Sequence, residues 1–189
     1  SAGVTKPVRT NQGRAYENTT LAAIAQQCAH RLKLQVVGKV APIAIRRVTQ
    51  IHENDLTFLH RLAGEYGYAF TVKGTKMVFT KLADLHAAKA VATLARSDLV
   101  HYSLRDKIKD VTKDATVSYH DAKTKKLKKA KVRDTRLSTS ADELKVNVRA
   151  ENEEQARAKA DAALLKQNQE ATVLTAELEG RSVLVAGVN

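Results

Sequence analysis

Hydrophobic positions recur at helical spacing in three stretches and alternate at strand spacing between them. Leu21, Ile24, Ala25, Cys28, Ala29 and Leu32 share one face of a helix that Thr19 or Thr20 can cap. Residues 34–37 read as a short strand closed by Gly38, and Ile43, Ile45 and Val48 alternate in an extended segment. Asn54 or Asp55 opens a second helix with a buried stripe of Leu56, Leu59, Leu62, Ala63 and Tyr66. Gly67 supplies the left-handed residue that ends it. Residues 68–72 and 76–80 are β-rich runs around Lys73-Gly74-Thr75, the pattern of a hairpin. Residues 1–18 are polar, carry Pro7 and Gly13, and read as irregular. Residues 1–82 are thus expected to form a small α+β unit, helix–strand–helix–hairpin.

The second half has a different texture. Residues 83–97 are Ala-rich and read as a connector. Residues 99–108 and 115–119 read as strands. In the second of these, Ala115, Val117 and Tyr119 alternate with Thr116 and Ser118, so one face is buried. Residues 121–136 form a Lys-rich arm, an extended hairpin with Leu127 and Val132 as its few apolar points. Leu144, Val146 and Val148 alternate as a further strand. Asn152 caps a long helix over 152–169, with Gln155 at the capping-box position. Ala156, Ala160, Ala163, Leu164 and Gln167 give that helix a small-residue face, and Glu151, Glu153 and Glu154 suit the positive end of its dipole. Residues 173–178 and 182–186 read as a closing hairpin around Glu179-Gly180. Residues 98–189 are therefore expected to be a β-barrel or curled sheet carrying one long helix. The fold class is α+β, and no repeat recurs at a fixed period.

Composition adds two constraints. Hydrophobic residues make up 43% of the 189 residues but aromatics only 4%, with no Trp, so the core is expected to be aliphatic. The formal net charge is +12, which points to an anionic partner. That excess is local: residues 121–136 hold eight Lys or Arg against two Asp, half of the net charge. The single cysteine, Cys28, sits on an apolar helix face and reads as a small buried hydrophobe. No apolar run reaches the length of a membrane span, and the N-terminus shows no signal-peptide pattern. Both ends read as cut from a longer chain.

The residues supply no pattern for catalysis. The six histidines, His30, His52, His60, His86, His101 and His120, form no HExxH and no close pair on one helix face, so no metal site is expected. Gly38-Lys39 lacks the upstream glycine and the following Ser or Thr of a phosphate loop, and no GxGxxG or GxSxG occurs. Gly64-Glu65-Tyr66-Gly67 matches a bare GxxG but ends a helix ahead of a strand, so it reads as a helix stop. No enzyme activity and no cofactor are expected. The one sharp surface signal is the cation set Lys123, Lys125, Lys126, Lys128, Lys129, Lys131 and Arg133. It can neutralise phosphates, yet no aromatic is interleaved to stack on bases. A solvated arm and an anionic contact remain the two readings of it.

The run Glu53-Asn54-Asp55-Leu56-Thr57-Phe58-Leu59-His60-Arg61-Leu62-Ala63-Gly64-Glu65-Tyr66-Gly67-Tyr68-Ala69-Phe70 resembles the phage late control gene D protein family, which is itself similar to the first half of VgrG spike proteins. The shared pattern is an acidic residue, Phe-Leu-x-Arg-Leu-Ala, a glycine and a hairpin. Asn18-Thr19-Thr20-Leu21-Ala22-Ala23-Ile24 is similar to the family's first helix, and the Lys-rich arm, the helix from Asn152 and Glu179-Gly180-Arg181 follow in the family's order. The resemblance implies a structural baseplate hub protein that joins the tail tube to the central spike of a contractile phage or prophage tail or of a related injection machine. It implies a homotrimer in the full-length protein, tail tube and spike proteins as partners, a place in the virion tail, and assembly in the bacterial host cytoplasm. By the same resemblance this chain lacks most of the family's first barrel and its end. The competing reading is a nucleic-acid-binding module that makes non-specific DNA contacts through the arm.

Overall fold

Strand β1 (Gln12–Thr20) runs directly into helix α1 (Leu21–Leu32) at Thr20. Thr20 keeps an extended backbone while its Oγ1 accepts the Ala23 N–H at 3.2 Å, satisfying one of the donors that a helix start leaves open. The computed structural model describes residues 11–90, 93–106, 111–121, 124–134, 143–146, 149–169 and 172–178. Helix α1 buries Leu21, Ile24, Ala25, Cys28, Ala29 and Leu32, the whole stripe expected from their spacing. Helix α2 (Asp55–Tyr66) starts at Asn54, whose Oδ1 accepts the Thr57 N–H at 2.9 Å. It ends at Gly67, with φ +73° and its N–H on the Ala63 carbonyl.

Two expectations for this half need correction. Residues 12–20 are a strand, not an irregular lead-in. β1 pairs antiparallel with β3 (Ala44–Glu53), with Tyr16 opposite Val48 and Thr19 opposite Ile45. Tyr16 is its one buried side chain among those described, so no apolar alternation marks the strand; backbone pairing to β3 makes it. In α2, Leu56 is half-buried, and Phe58 joins Leu59, Leu62, Ala63 and Tyr66 in the buried stripe. The Phe58 ring stacks on Tyr16 at 5.2 Å between centroids and 12° between planes, a partner supplied by β1.

Strand β5 (Lys76–Lys81) is the centre of a three-stranded sheet, with β2 (Gln35–Val37) parallel on one side and β4 (Tyr68–Lys73) antiparallel on the other. Gly74, at φ +59°, and Thr75 make the two-residue turn between β4 and β5. Met77 and Phe79 from β5 meet the buried faces of α1 and α2 in one apolar cluster. Inside it lies a polar group. Asp55 accepts from Arg31 at 2.9 and 3.0 Å and from Gln50 Nε2 at 3.0 Å, and Arg31 also donates to Tyr16 and to Cys28 Sγ. Burial pushes the Cys28 thiol up, and it pushes the Tyr16 phenol up to about 12. Cys28 is buried, as expected, but it is also a polar neighbour of this group.

After β5 come a short helix, α3 (Leu82–Ala87), and a turn at Arg96–Asp98. Strand β7 (Asp114–Asp121) is then the centre of a second three-stranded sheet, with β8 (Lys126–Arg133) antiparallel and β9 (Glu143–Val146) parallel. β6 (Leu99–Asp106) pairs antiparallel with β10 (Thr172–Leu178) as a two-stranded ribbon. The α+β reading holds; among the described residues the strands of this half form these two sheets and no closed barrel. Val148 and the expected strand over 182–186 lie outside the described residues.

Helix α4 (Glu153–Gln169) lies across β7 and β8, packing Ala156, Ala160 and Leu164 on Ala115, Val117, Tyr119 and Ala130. Its other side meets the first half, where Ala158 packs on the first cluster and Lys159 Nζ reaches Glu65 at 3.2 Å. Ala162, not Ala163, is the buried alanine here, because Gly67 comes up against it so closely that a Cβ on Gly67 would sit 3.2 Å from the Ala162 methyl. Asn152 caps α4 as expected, accepting the Gln155 N–H at 2.8 Å. The Gln155 side chain accepts from Glu151 N–H at 3.2 Å instead of from Asn152, and it donates to the Ala44 carbonyl at 2.7 Å. The cap has become a bridge to β3.

Candidate functional site

The Lys-rich arm is the β7–β8 hairpin. Its turn closes with Lys125 N–H on the Asp121 carbonyl at 2.8 Å, and Lys125 itself takes φ +54°. Strand alternation then sorts the cations. Lys126, Lys128, Ala130 and Val132 point to one face, and Leu127, Lys129, Lys131 and Arg133 to the other. Ala130 and Val132 lie opposite Val117 and Ala115 and pack under α4. Lys128 continues that face beyond the end of the core, opposite Tyr119.

The structure separates six of the seven expected contact residues into two groups. Lys128 pairs with Asp121 across the hairpin. Lys131 reaches Asp114 at 3.0 Å and Glu143 at 3.7 Å, and Arg133 reaches Asp114 at 2.8 Å. The hydrogen bond from Arg133, with that from Lys131, holds the Asp114 carboxyl down to about 2. Glu143 is held below its ordinary range first by the Thr116 hydroxyl and then by Lys131. Lys125, Lys126 and Lys129 are exposed and meet no carboxylate among the described residues. Lys123 lies outside the described residues. Only part of the arm's charge is therefore unspent.

Composition counts Asp121 against the arm's cations but does not pair it, and Asp114 and Glu143 lie outside the Lys-rich stretch. A signal existed: a turn after Asp121 sets Asp121 opposite Lys126 and Asp114 opposite Arg133, so hairpin register alone brings opposite charges together. Glu143 carried no such signal, because β9 joins β7 from farther along the chain. The Arg31–Asp55 pair was also missed, since Asp55 reads only as one of two candidates for the start of the second helix. Among the described residues no three His, Cys, Asp or Glu side chains gather as metal ligands. None of their helices is long and apolar enough to cross a membrane.

The arrangement is a cation-bearing hairpin on a two-layer α/β body, tied to a second α+β body through α4. Residues 8–188 match the phage tail baseplate hub (GPD) family. The chain belongs to that family. No curated protein matches it. Solved structures share the hub-family fold. The 43 kDa tail protein of prophage MuSo2 from Shewanella oneidensis is 17% identical with a TM-score of 0.56, over 92% of this chain and 52% of that one. A tail protein from Neisseria meningitidis MC58 is 14% identical with a TM-score of 0.60, over 90% of this chain and 54% of that one. Prophage tail protein gp18 from Listeria monocytogenes EGD-e is 13% identical with a TM-score of 0.56, over 93% of this chain and 56% of that one. The chain thus spans about half the length of these relatives.

Proposed function

We propose that this chain is a structural part of a tail baseplate hub, the ring that joins a contractile tail tube to its central spike. The family match over residues 8–188 carries this reading. In it the protein acts by assembly and not by catalysis, as three copies of the full-length chain closing into a ring in the virion tail. Assembly takes place in the bacterial host cytoplasm, with tail tube and spike proteins as neighbours. Residues 1–82 and 98–189 would be its two units and 83–97 the connector, a division supported by the two separate apolar clusters. A closed ring needs repeated surfaces that meet across subunits, which sheets with free edges supply. Light scattering on this chain and on a version extended at both ends tests the reading. A trimer of the extended chain is expected; an extended chain that stays monomeric overturns the ring.

A second reading rests on Lys125, Lys126 and Lys129, exposed cations without a carboxylate partner among the described residues. In it the arm holds a polyanion such as DNA, with or without a hub. Binding to arbitrary duplex that weakens steeply with salt is its signature. Undetectable binding at low salt removes it.

A further inference from the structure

A groove of about 1120 Å³ runs between the β1–β3 ribbon and the β7–β8 hairpin and ends at the start of α4. Ile45, Tyr119 and Ala150, each no more than 5% exposed, give it an apolar floor. Its cations and its acids are not in the same state. Glu151 accepts from the Arg46 N–H at 2.8 Å and from Gln155 Nε2 at 3.2 Å. Glu153 pairs with Arg157 at 2.7 Å, and Asp121 with Lys128. Asp121 and Glu153 are thus paired with cations, while Glu151 is bound by neutral donors that leave its charge in place. Among the described residues no carboxylate lies within ion-pair distance of the guanidinium of Arg46 or Arg149. Arg47 reaches only Glu17, at 3.5 Å, with the two side chains 66% and 57% exposed. With the pairs Arg47–Glu17, Arg157–Glu153 and Lys128–Asp121 set aside, Arg46 and Arg149 outweigh Glu151, so the excess charge of the groove is positive.

A second hollow of about 500 Å³ shares Ile45, Arg47, Arg149 and Glu151 with the first and continues past Ile51 to Lys159. The two together follow β3 from Ala44 to Ile51. At roughly 3.3 Å per residue that is about 25 Å, room for an extended segment of about eight residues. Guanidinium groups bind carboxylates through paired N–H donors. The tyrosines of the two hollows, Tyr119 and Tyr66, are both 4% exposed and offer no face on which a base can stack. The arginine rim and the exposed Ile51, with no aromatic face open to a base, together suit a peptide better than a nucleic acid.

We propose that this groove docks an acidic polypeptide segment of a neighbouring protein, extended along β3, with carboxylates on Arg46, Arg47 and Arg149 and an apolar side chain on Ile51, which is 69% exposed. The proposal stands on the groove alone and does not require the hub ring or the Lys arm. Fluorescence anisotropy at low salt tests it, with a labelled peptide of alternating Glu and Val as probe. An alternating Lys and Val peptide and an oligothymidine of equal length serve as comparisons. The test variants are Arg46→Ala with Arg149→Ala in the groove, and Lys126→Ala with Lys129→Ala on the arm. All four residues are exposed, and unchanged melting temperatures establish that both variants fold. The acidic peptide should bind, the groove variant should weaken it about tenfold, and the arm variant should change it less than about twofold. Failure of the acidic peptide to bind overturns the proposal. So does parent-like binding by the groove variant, a loss confined to the arm variant, or oligothymidine binding that the groove variant abolishes equally.

Discussion

Arg31 and Asp55, 24 positions apart in the chain, meet as a two-point ion pair, Nε on Oδ2 at 2.9 Å and Nη2 on Oδ1 at 3.0 Å. The pair ties the end of α1 to the first residue of α2 inside the first apolar cluster. Asp55 is 3% exposed, so the carboxylate has given up nearly all its water and depends on Arg31 and Gln50 for replacement. Removing either partner leaves a charge without compensation.

Arg31→Ala should therefore destabilise the chain by about 3 kcal/mol, toward the low end for a broken buried pair because Arg31 keeps some contact with water. Arg31→Met with Asp55→Leu should recover much of that loss. Urea denaturation of the single and double variants measures both. A single variant with parental stability would show that the pair contributes nothing.

The same pair makes stability depend on acid. Burial pushes the Asp55 carboxyl up, but hydrogen bonds from Arg31 and Gln50 outweigh it and hold the group below its ordinary range. A carboxyl whose folded pKa is depressed adds stability above its unfolded value of about 3.9, and that stability is lost as pH falls through the folded value. Denaturation midpoints should fall on acidification below about pH 4. In Asp55→Asn the decline should be shallower.

Gly67 and Gly64 should respond to alanine with opposite signs. Gly67 has φ +73° and stands against Ala162 of α4, so Gly67→Ala should cost about 1–2 kcal/mol for the left-handed backbone alone, with the crowded methyl adding to it. Gly64 lies inside α2 with nothing within 4 Å of a new methyl, so Gly64→Ala should stabilise by about 0.4–1 kcal/mol. Thermal melts of the two variants give both signs.

Asp114 should titrate with a midpoint of about 2, readable from its carboxyl carbon by NMR. Arg133→Ala should move that midpoint upward, because the largest favourable hydrogen bond to the carboxylate is gone. The stability linked to this group is present above the unfolded carboxyl value and disappears as pH falls through about 2. An unmoved midpoint would show that Arg133 is held elsewhere in solution.

Within the arm, Lys125, Lys126 and Lys129 should dominate any contact with a polyanion. Changing these three to Ser should flatten the dependence of duplex binding on salt by a slope of about 2.7, the release expected for three neutralised phosphates. Changing Lys128 and Lys131 should flatten it less, since each already has an acid beside it. Equal effects from both sets would make the intramolecular pairs irrelevant to binding.

The sequence by itself determined the parts whose causes lie within a few residues. Thr20 and Asn54 cap their helices, Gly67 ends α2, Gly74 turns the β4–β5 hairpin, and the order of these pieces was enough to suggest the tail hub family. Each is a local hydrogen bond or backbone preference, and spacing along the chain reports it. Tertiary structure decided the rest. β1 is a strand because β3 lies beside it, and Phe58 is buried because Tyr16 is there to stack on. Asp55 is a buried charge because α1 brings Arg31, and Glu151 meets the Arg46 N–H from 105 residues away. A side chain's burial and its partner depend on which distant surface folds against it, and no period of two or 3.6 residues carries that information.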